Sequence, residues 1–173
     1  QAVKQLRPDL PVVDLGAGTG MLTLTAARFG HKVVAVEQDV HMLRVLRALA
    51  VLAGLANRVD LIQADALAFQ PRGQFQIISN PPYSRHHDMS PALKKLLPRS
   101  DIGDGIPLPL SSSHYVYFMV HAWKAPWSLR EVFIVPKNWL ETRYGHPLRE
   151  YLLSGAIRYT ILDTNDDISN FEH

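Results

Sequence analysis

The chain has 173 residues, 47% of them hydrophobic and 20% charged, enough for one domain with a real core and too few for two comfortable ones. No apolar run reaches the roughly 18–20 residues that span a bilayer, and with no cysteine disulfides and thiolate metal sites are excluded. A net charge of +2 with a pI of about 9.0 permits nucleic-acid binding without calling for it, since a dedicated binder carries a denser basic stripe.

Pro11–Leu15 is a short apolar run, and Lys32–Glu37, Val59–Ala64 and Phe75–Ser79 are three more, each of strand length. Between them, Met21–Phe29 and Val40–Leu52 are rich in Leu, Ala and Arg, which favour helix. In the latter, Met42, Leu43, Leu46, Leu49 and Ala50 fall near helical spacing and predict one apolar face. Such alternation predicts an α/β fold, a doubly wound and mostly parallel sheet with helices on both faces. From Ser84 to Ser113 the chain carries Pro91, Pro98, Pro107 and Pro109 with Gly103 and Gly105, and one short helical patch at Ala92–Leu97. A connection that long is expected to be functional or disordered. His114–Lys124 reads as a helix rich in aromatics, Glu131–Val135 as a strand, Pro147–Ser154 as a helix and Ile157–Asp163 as a last strand.

The stretch Asp14-Leu15-Gly16-Ala17-Gly18-Thr19-Gly20 joins the first strand to the first helix. Glycines there let the backbone turn tightly and approach a ligand with no Cβ in the way. The spacing Gly16-x-Gly18-x-Gly20 departs from the dinucleotide fingerprint G-x-G-x-x-G. An acid beside the loop would repel a pyrophosphate, yet it can accept from the ammonium of an amino-acid-like ligand. Glu37 ends the second strand, where a carboxylate can take both hydroxyls of a ribose, and Asp39 can share that role. Capping the next helix is the simpler alternative for Glu37. Asp65 follows the third strand, placed either to accept from an adenine amino group or to cap a turn.

Asn80-Pro81-Pro82-Tyr83 directly follows the fourth strand. Two prolines hold the backbone extended and remove two amide donors, which leaves a rigid corner rich in acceptors. An aryl amine is a poor nucleophile because its lone pair is delocalised into the ring. The Asn80 side-chain oxygen and the Pro81 carbonyl can each accept one amine hydrogen, favouring a pyramidal nitrogen whose lone pair points outward. Tyr83 can stack on the base. This chemistry asks for positioning and acceptor dipoles and needs neither a general base nor a metal. His86-His87-Asp88 lacks a third placed ligand, so no metal site is expected.

Together, DLGAGTG, Glu37, Asp65 and NPPY resemble the class I S-adenosylmethionine-dependent methyltransferases that act on amino nitrogens. The resemblance implies a Rossmann-like core whose closing strand is absent after His173, and S-adenosyl-L-methionine as cofactor. It places Asp14, Gly16, Ala17, Gly18, Thr19 and Gly20 around the methionine part, and Glu37 with Gln38 at the ribose. Asp65 with Ala66 then lies at the adenine, and Asn80 borders both cofactor and acceptor. His114–Trp123, Val135-Pro136-Lys137-Asn138-Trp139-Leu140 and Leu148–Leu153 extend the likeness to adenine-N6 DNA methyltransferases of restriction–modification type, over about residues 11 to 171.

That extension implies DNA as partner, with the target adenine extruded from the duplex against Tyr83 and Phe171. Arg85, Lys94, Lys95 and Arg99 lie along the phosphates or simply form a solvated loop surface. RNA adenine methyltransferases and protein glutamine methyltransferases resemble the tetrapeptide equally. An alternative of another class is a non-catalytic fragment that binds cofactor or nucleic acid. The abrupt ends predict a fragment of something longer or one part of a split system, with residues 1–173 a single methyltransferase catalytic domain that has no room for target recognition. Its recognition domain or subunit is expected outside this chain, and its setting in the cytoplasm.

Overall fold

The computed structural model describes residues 1–84, 112–154 and 160–161. Among the described residues five strands form one sheet: β1 (Val12–Leu15), β2 (Val33–Glu37), β3 (Val59–Gln63), β4 (Phe75–Ser79) and β5 (Ser128–Phe133). Their order is β3-β2-β1-β4-β5 and every pairing is parallel. Parallel neighbours need crossovers; α1 (Met21–Arg28), α2 (Val40–Leu52) and α3 (His114–Lys124) lie in three of them, and α4 (His146–Leu153) follows β5.

Successive side chains of a strand point to opposite faces, and the core divides accordingly. Val12 and Ile78 pack with Ala26 and Ala27 of α1 and Leu46 of α2. Val13, Leu15 and Ile77 pack with Phe118 and Ala122 of α3. Helices thus cover both faces, and β1 is buried along its whole length. This is the doubly wound, Rossmann-like arrangement expected from the alternation. Among the described residues no helix is long and apolar enough to cross a membrane.

Gln76 is a polar residue with no exposure in the middle of β4. Its Oε1 accepts from Arg7 N at 2.8 Å, and its Nε2 donates to the carbonyls of Arg7 and Leu10 at 2.7 and 2.9 Å. A buried amide satisfied on both ends is stable where an unpaired one is not, and this one fixes the segment that leads into β1.

Three expectations are corrected. The fifth strand begins at Ser128 and ends at Phe133, earlier than Glu131–Val135. Its first half is exposed at Leu129 and Arg130, so no apolar run announces it. On α2 the buried positions are Leu43, Leu46 and Ala50, while Met42 and Leu49 are each 39% exposed and face outward. The last helix starts one residue before Pro147, because Pro is well placed in a first turn. The helical patch at 92–97, the strand at 157–163 except Thr160 and Ile161, the loop cations, His86-His87-Asp88 and Phe171 lie outside the described residues.

Candidate functional site

The chain winds outward from β1 to β3, then returns to place β4 on the other side of β1. That reversal is a switch point, where a crevice opens beyond the carboxyl ends of the strands. The glycine loop leaves β1 and the NPPY corner leaves β4, so segments more than 60 positions apart become neighbours. Asp14 stands in register with Ile78. Ser79, fully buried, donates its hydroxyl to the Leu15 carbonyl at 2.6 Å and clasps the two strand ends together.

The loop directs its amides inward. Gly16 N and Ala17 N both donate to the Val36 carbonyl, at 2.9 and 3.0 Å, and Gly20 N donates to the Ala17 carbonyl at 2.9 Å. Gly18 N donates to Glu37 Oε2 at 2.8 Å. A phosphate site at a helix N-terminus needs free amide donors, and four of the five amides from Gly16 to Gly20 are already committed. Gly20 has φ +90°, and a Cβ there would stand 2.0 Å from Leu46 Cδ1, so the turn into α1 admits glycine alone. At Gly18, with φ +54°, a Cβ would meet nothing within 4 Å: the space above it is open.

Glu37 is half-buried at the end of β2, and its Oε1 accepts from Asp39 N at 2.9 Å. The cap of α2 is Asp39, whose side chain accepts from His41 N at 2.7 Å. Gln38 and Thr19 are exposed beside them, and Ala17 is half-buried. Asp65 is exposed after β3; its Oδ1 accepts from Leu67 N at 2.9 Å, a turn-capping bond, while the following Ala66 is buried. Phe118 of α3 lies 3.6 Å from where a Gly16 Cβ would stand, which brings that helix against the loop.

Asp14 sits beneath the loop with 1% exposure, its Oδ2 accepting from the Thr23 hydroxyl at 2.5 Å. Burial pushes its carboxyl up to about 6, against the Thr23 hydrogen bonds that lower it, and the Glu37 charge adds to the rise. A raised folded-state value means stability that is full below about pH 4 and lost as pH climbs through about 6. Asp14→Asn keeps an acceptor for Thr23 and removes this titration. Its stability relative to the unaltered chain is therefore expected to improve by up to about 2 kcal/mol between pH 4.5 and 8. Burial lowers His114 and His121, opposed by the Asp65 charge, and their reverse slope cancels in the difference. Denaturant melts at both pH values check this; parallel pH profiles would show that Asp14 carries no such strain.

At the other lip of the crevice, Asn80 is exposed, Pro81 buried, Pro82 exposed, and Tyr83 45% exposed. The Tyr83 hydroxyl donates to Asn80 Oδ1 and also lies 3.1 Å from the Ile134 carbonyl. Among the described residues no group of three His, Cys, Asp or Glu side chains could hold a metal ion. Ser79, Gln76 and the Ile134 carbonyl reached by Tyr83 leave no mark in the sequence, because each works between segments far apart along the chain.

Residues 2–120, more than half of the chain, match the family described as ribosomal RNA adenine dimethylase. The chain belongs to that family. It is 31% identical over 160 residues to the type II methyltransferase M.XamI of Xanthomonas campestris pv. amaranthicola, a match covering 88% of this chain and 30% of that protein. It is 48% identical over 56 residues to ribosomal RNA small subunit methyltransferase A of Anaeromyxobacter dehalogenans, covering 32% of this chain and 18% of that one. The crystal structure of the 23S rRNA methyltransferase ErmE has the same fold, with a TM-score of 0.56 at 22% identity, over 84% of this chain and 48% of that one. The chain thus spans less than a third of the length of these curated relatives. S-adenosyl-L-methionine is the cofactor that goes with this family and fold. The donor set fits it: carboxylates and inward-turned amides suit a cationic ligand bearing hydroxyls and disfavour a pyrophosphate.

Proposed function

We propose that the chain transfers a methyl group from S-adenosyl-L-methionine to the exocyclic N6 amine of adenine in RNA. What supports the reading is the switch point, at which the glycine loop with Glu37 and the corner Asn80-Pro81 leave the carboxyl ends of neighbouring strands. Membership in the ribosomal RNA adenine dimethylase family supports RNA as the substrate.

When bound, the cofactor supplies an electrophilic methyl on a sulfonium, already a good leaving group. Glu37 holds the ribose with the lone pairs left after its two backbone bonds, since a carboxylate has about four acceptor sites. Asp65 retains one oxygen without a partner among the described residues, available to the adenine amine of the cofactor. Asn80 Oδ1 and the Pro81 carbonyl accept the two hydrogens of the target amine, holding its nitrogen pyramidal. The proton leaves the alkylated amine to water. The work is positioning of the reacting nitrogen by fixed dipoles.

DNA is the second reading. It is favoured by the match to M.XamI, which covers 88% of this chain where the match to ribosomal RNA small subunit methyltransferase A covers 32%. Transfer of tritiated methyl to deproteinised ribosomal RNA, duplex DNA and bulk protein separates the readings. RNA label recovered as N6-methylated adenosine is the expected result. Label in DNA alone selects the second reading, and label on protein with none on either nucleic acid overturns both.

A further inference from the structure

Asn80 lies on an exposed corner, and its side-chain oxygen is held by the Tyr83 hydroxyl. Its orientation must come from what holds Tyr83. The Tyr83 ring meets Tyr115 of α3 edge-on, with centroids 6.3 Å apart and planes at 86°. Tyr115 is 1% exposed, yet its hydroxyl is satisfied: Asn138 Oδ1 lies 3.0 Å away and the Tyr144 hydroxyl 2.9 Å away. Tyr144 is itself 3.2 Å from Asn138 Oδ1. Two hydroxyl protons serve three contacts, so one hydroxyl donates to Asn138 and the other to Asn138 or to its neighbour. Burial first, and then Tyr144, push the Tyr115 ionisation upward, which keeps it a neutral donor. Satisfied buried networks of this kind lock side chains in one geometry.

We propose that Tyr115 is the positioning residue of the acceptor corner: anchored by Asn138 and Tyr144, it fixes the Tyr83 ring and thereby the direction of Asn80 Oδ1. Its consequence for rate rests on the function proposed above. Tyr83 has one hydroxyl proton and two acceptors, Asn80 Oδ1 and the Ile134 carbonyl, so a small tilt of its ring changes which acceptor it serves. Tyr115 sets that tilt from α3, and Asn138 and Tyr144 set Tyr115 from the segment after β5.

The test uses protein labelled with 15N-asparagine, with the Asn80 side-chain amide pair assigned by its loss in Asn80→Ala. Tyr115→Phe keeps the ring and deletes the hydroxyl; it is expected to move the Asn80 pair, as Tyr83→Phe does. In single-turnover transfer to deproteinised ribosomal RNA, Tyr115→Phe is expected to slow the step about five- to tenfold, the effect of about one lost hydrogen bond. S-adenosylhomocysteine affinity stays unchanged, and adding Tyr83→Phe costs little more, because both act through one path. An Asn80 pair left in its native position by Tyr115→Phe overturns the proposal, as does a double variant whose losses multiply. Should Tyr115→Phe fail to fold, Asn138→Leu must move the Asn80 pair, and Asn138→Asp, which keeps an acceptor for both hydroxyls, must leave it nearer its native position. No transfer by the unaltered chain to RNA or DNA counts against the proposed function, while the Asn80 signal still decides the positioning role.

Discussion

Asn80→Ala is expected to slow single-turnover methyl transfer to adenine by about 100- to 1,000-fold, the usual effect of removing one preorganised polar group from a transition state. Cofactor affinity is expected to stay within about twofold, and stability nearly unchanged. The structure gives the reason for that separation. Asn80 is exposed and fills no core position, so truncation leaves no cavity. The Tyr83 hydroxyl, its partner, has the Ile134 carbonyl at 3.1 Å to turn to, so no donor is orphaned. The glycine loop draws its hydrogen bonds from Val36, Glu37 and Ala17, none of which involves Asn80. On the proposed function, what is lost is one of the two acceptors assigned to shape the amine. Rapid-quench transfer and calorimetry with S-adenosylhomocysteine measure the two quantities separately. Turnover surviving within a fewfold would mean that the acceptor corner does not perform the chemistry assigned to it.

The parallel sheet was legible because its central strands are buried on both faces and read as continuous apolar runs, VVDL, VVAVE and FQIIS. Strand β5 was misplaced for the opposite reason. It opens with Ser128, Leu129 and Arg130 against β4, its one neighbour among the described residues, and exposure there removes the apolar signal. The residues of the candidate site were legible where the chain itself turns: glycines that need positive φ, an acid at a strand end, prolines after β4. Those that work across the sheet were not. Ser79 looks like any strand serine until β4 lies beside β1, and its acceptor is the carbonyl of a residue 64 positions away. Tyr115 sits in a helix with eight of eleven residues buried, so no stripe of polar and apolar positions distinguishes it. Asn138 and Tyr144 reach it only because the segment after β5 folds back onto α3.

Glu37→Ala is expected to show the reverse signature to Asn80→Ala: cofactor affinity weakened about 10- to 100-fold, with much of the rate recovered at saturating cofactor. Two losses combine. Each charge-assisted hydrogen bond to a ligand hydroxyl is worth roughly 1.5–3 kcal/mol, and tenfold in affinity is about 1.4 kcal/mol. The carboxylate also holds Gly18 N from one oxygen and Asp39 N from the other, so its removal frees the loop that shapes the crevice. Glu37→Gln is expected to recover little. Both protein partners are amide donors, and the new NH2 group must face one of them, donor against donor. Calorimetry with S-adenosylhomocysteine reads the effect directly, and affinity within about twofold of the unaltered chain would remove Glu37 from the cofactor site. A second readout follows from the buried neighbour. The Glu37 charge helps to raise the Asp14 carboxyl, so its removal should move the loss of stability with rising pH toward lower pH. Both responses would come from one carboxylate, which holds the loop through Gly18 N on one side and strains the acid beneath the loop on the other.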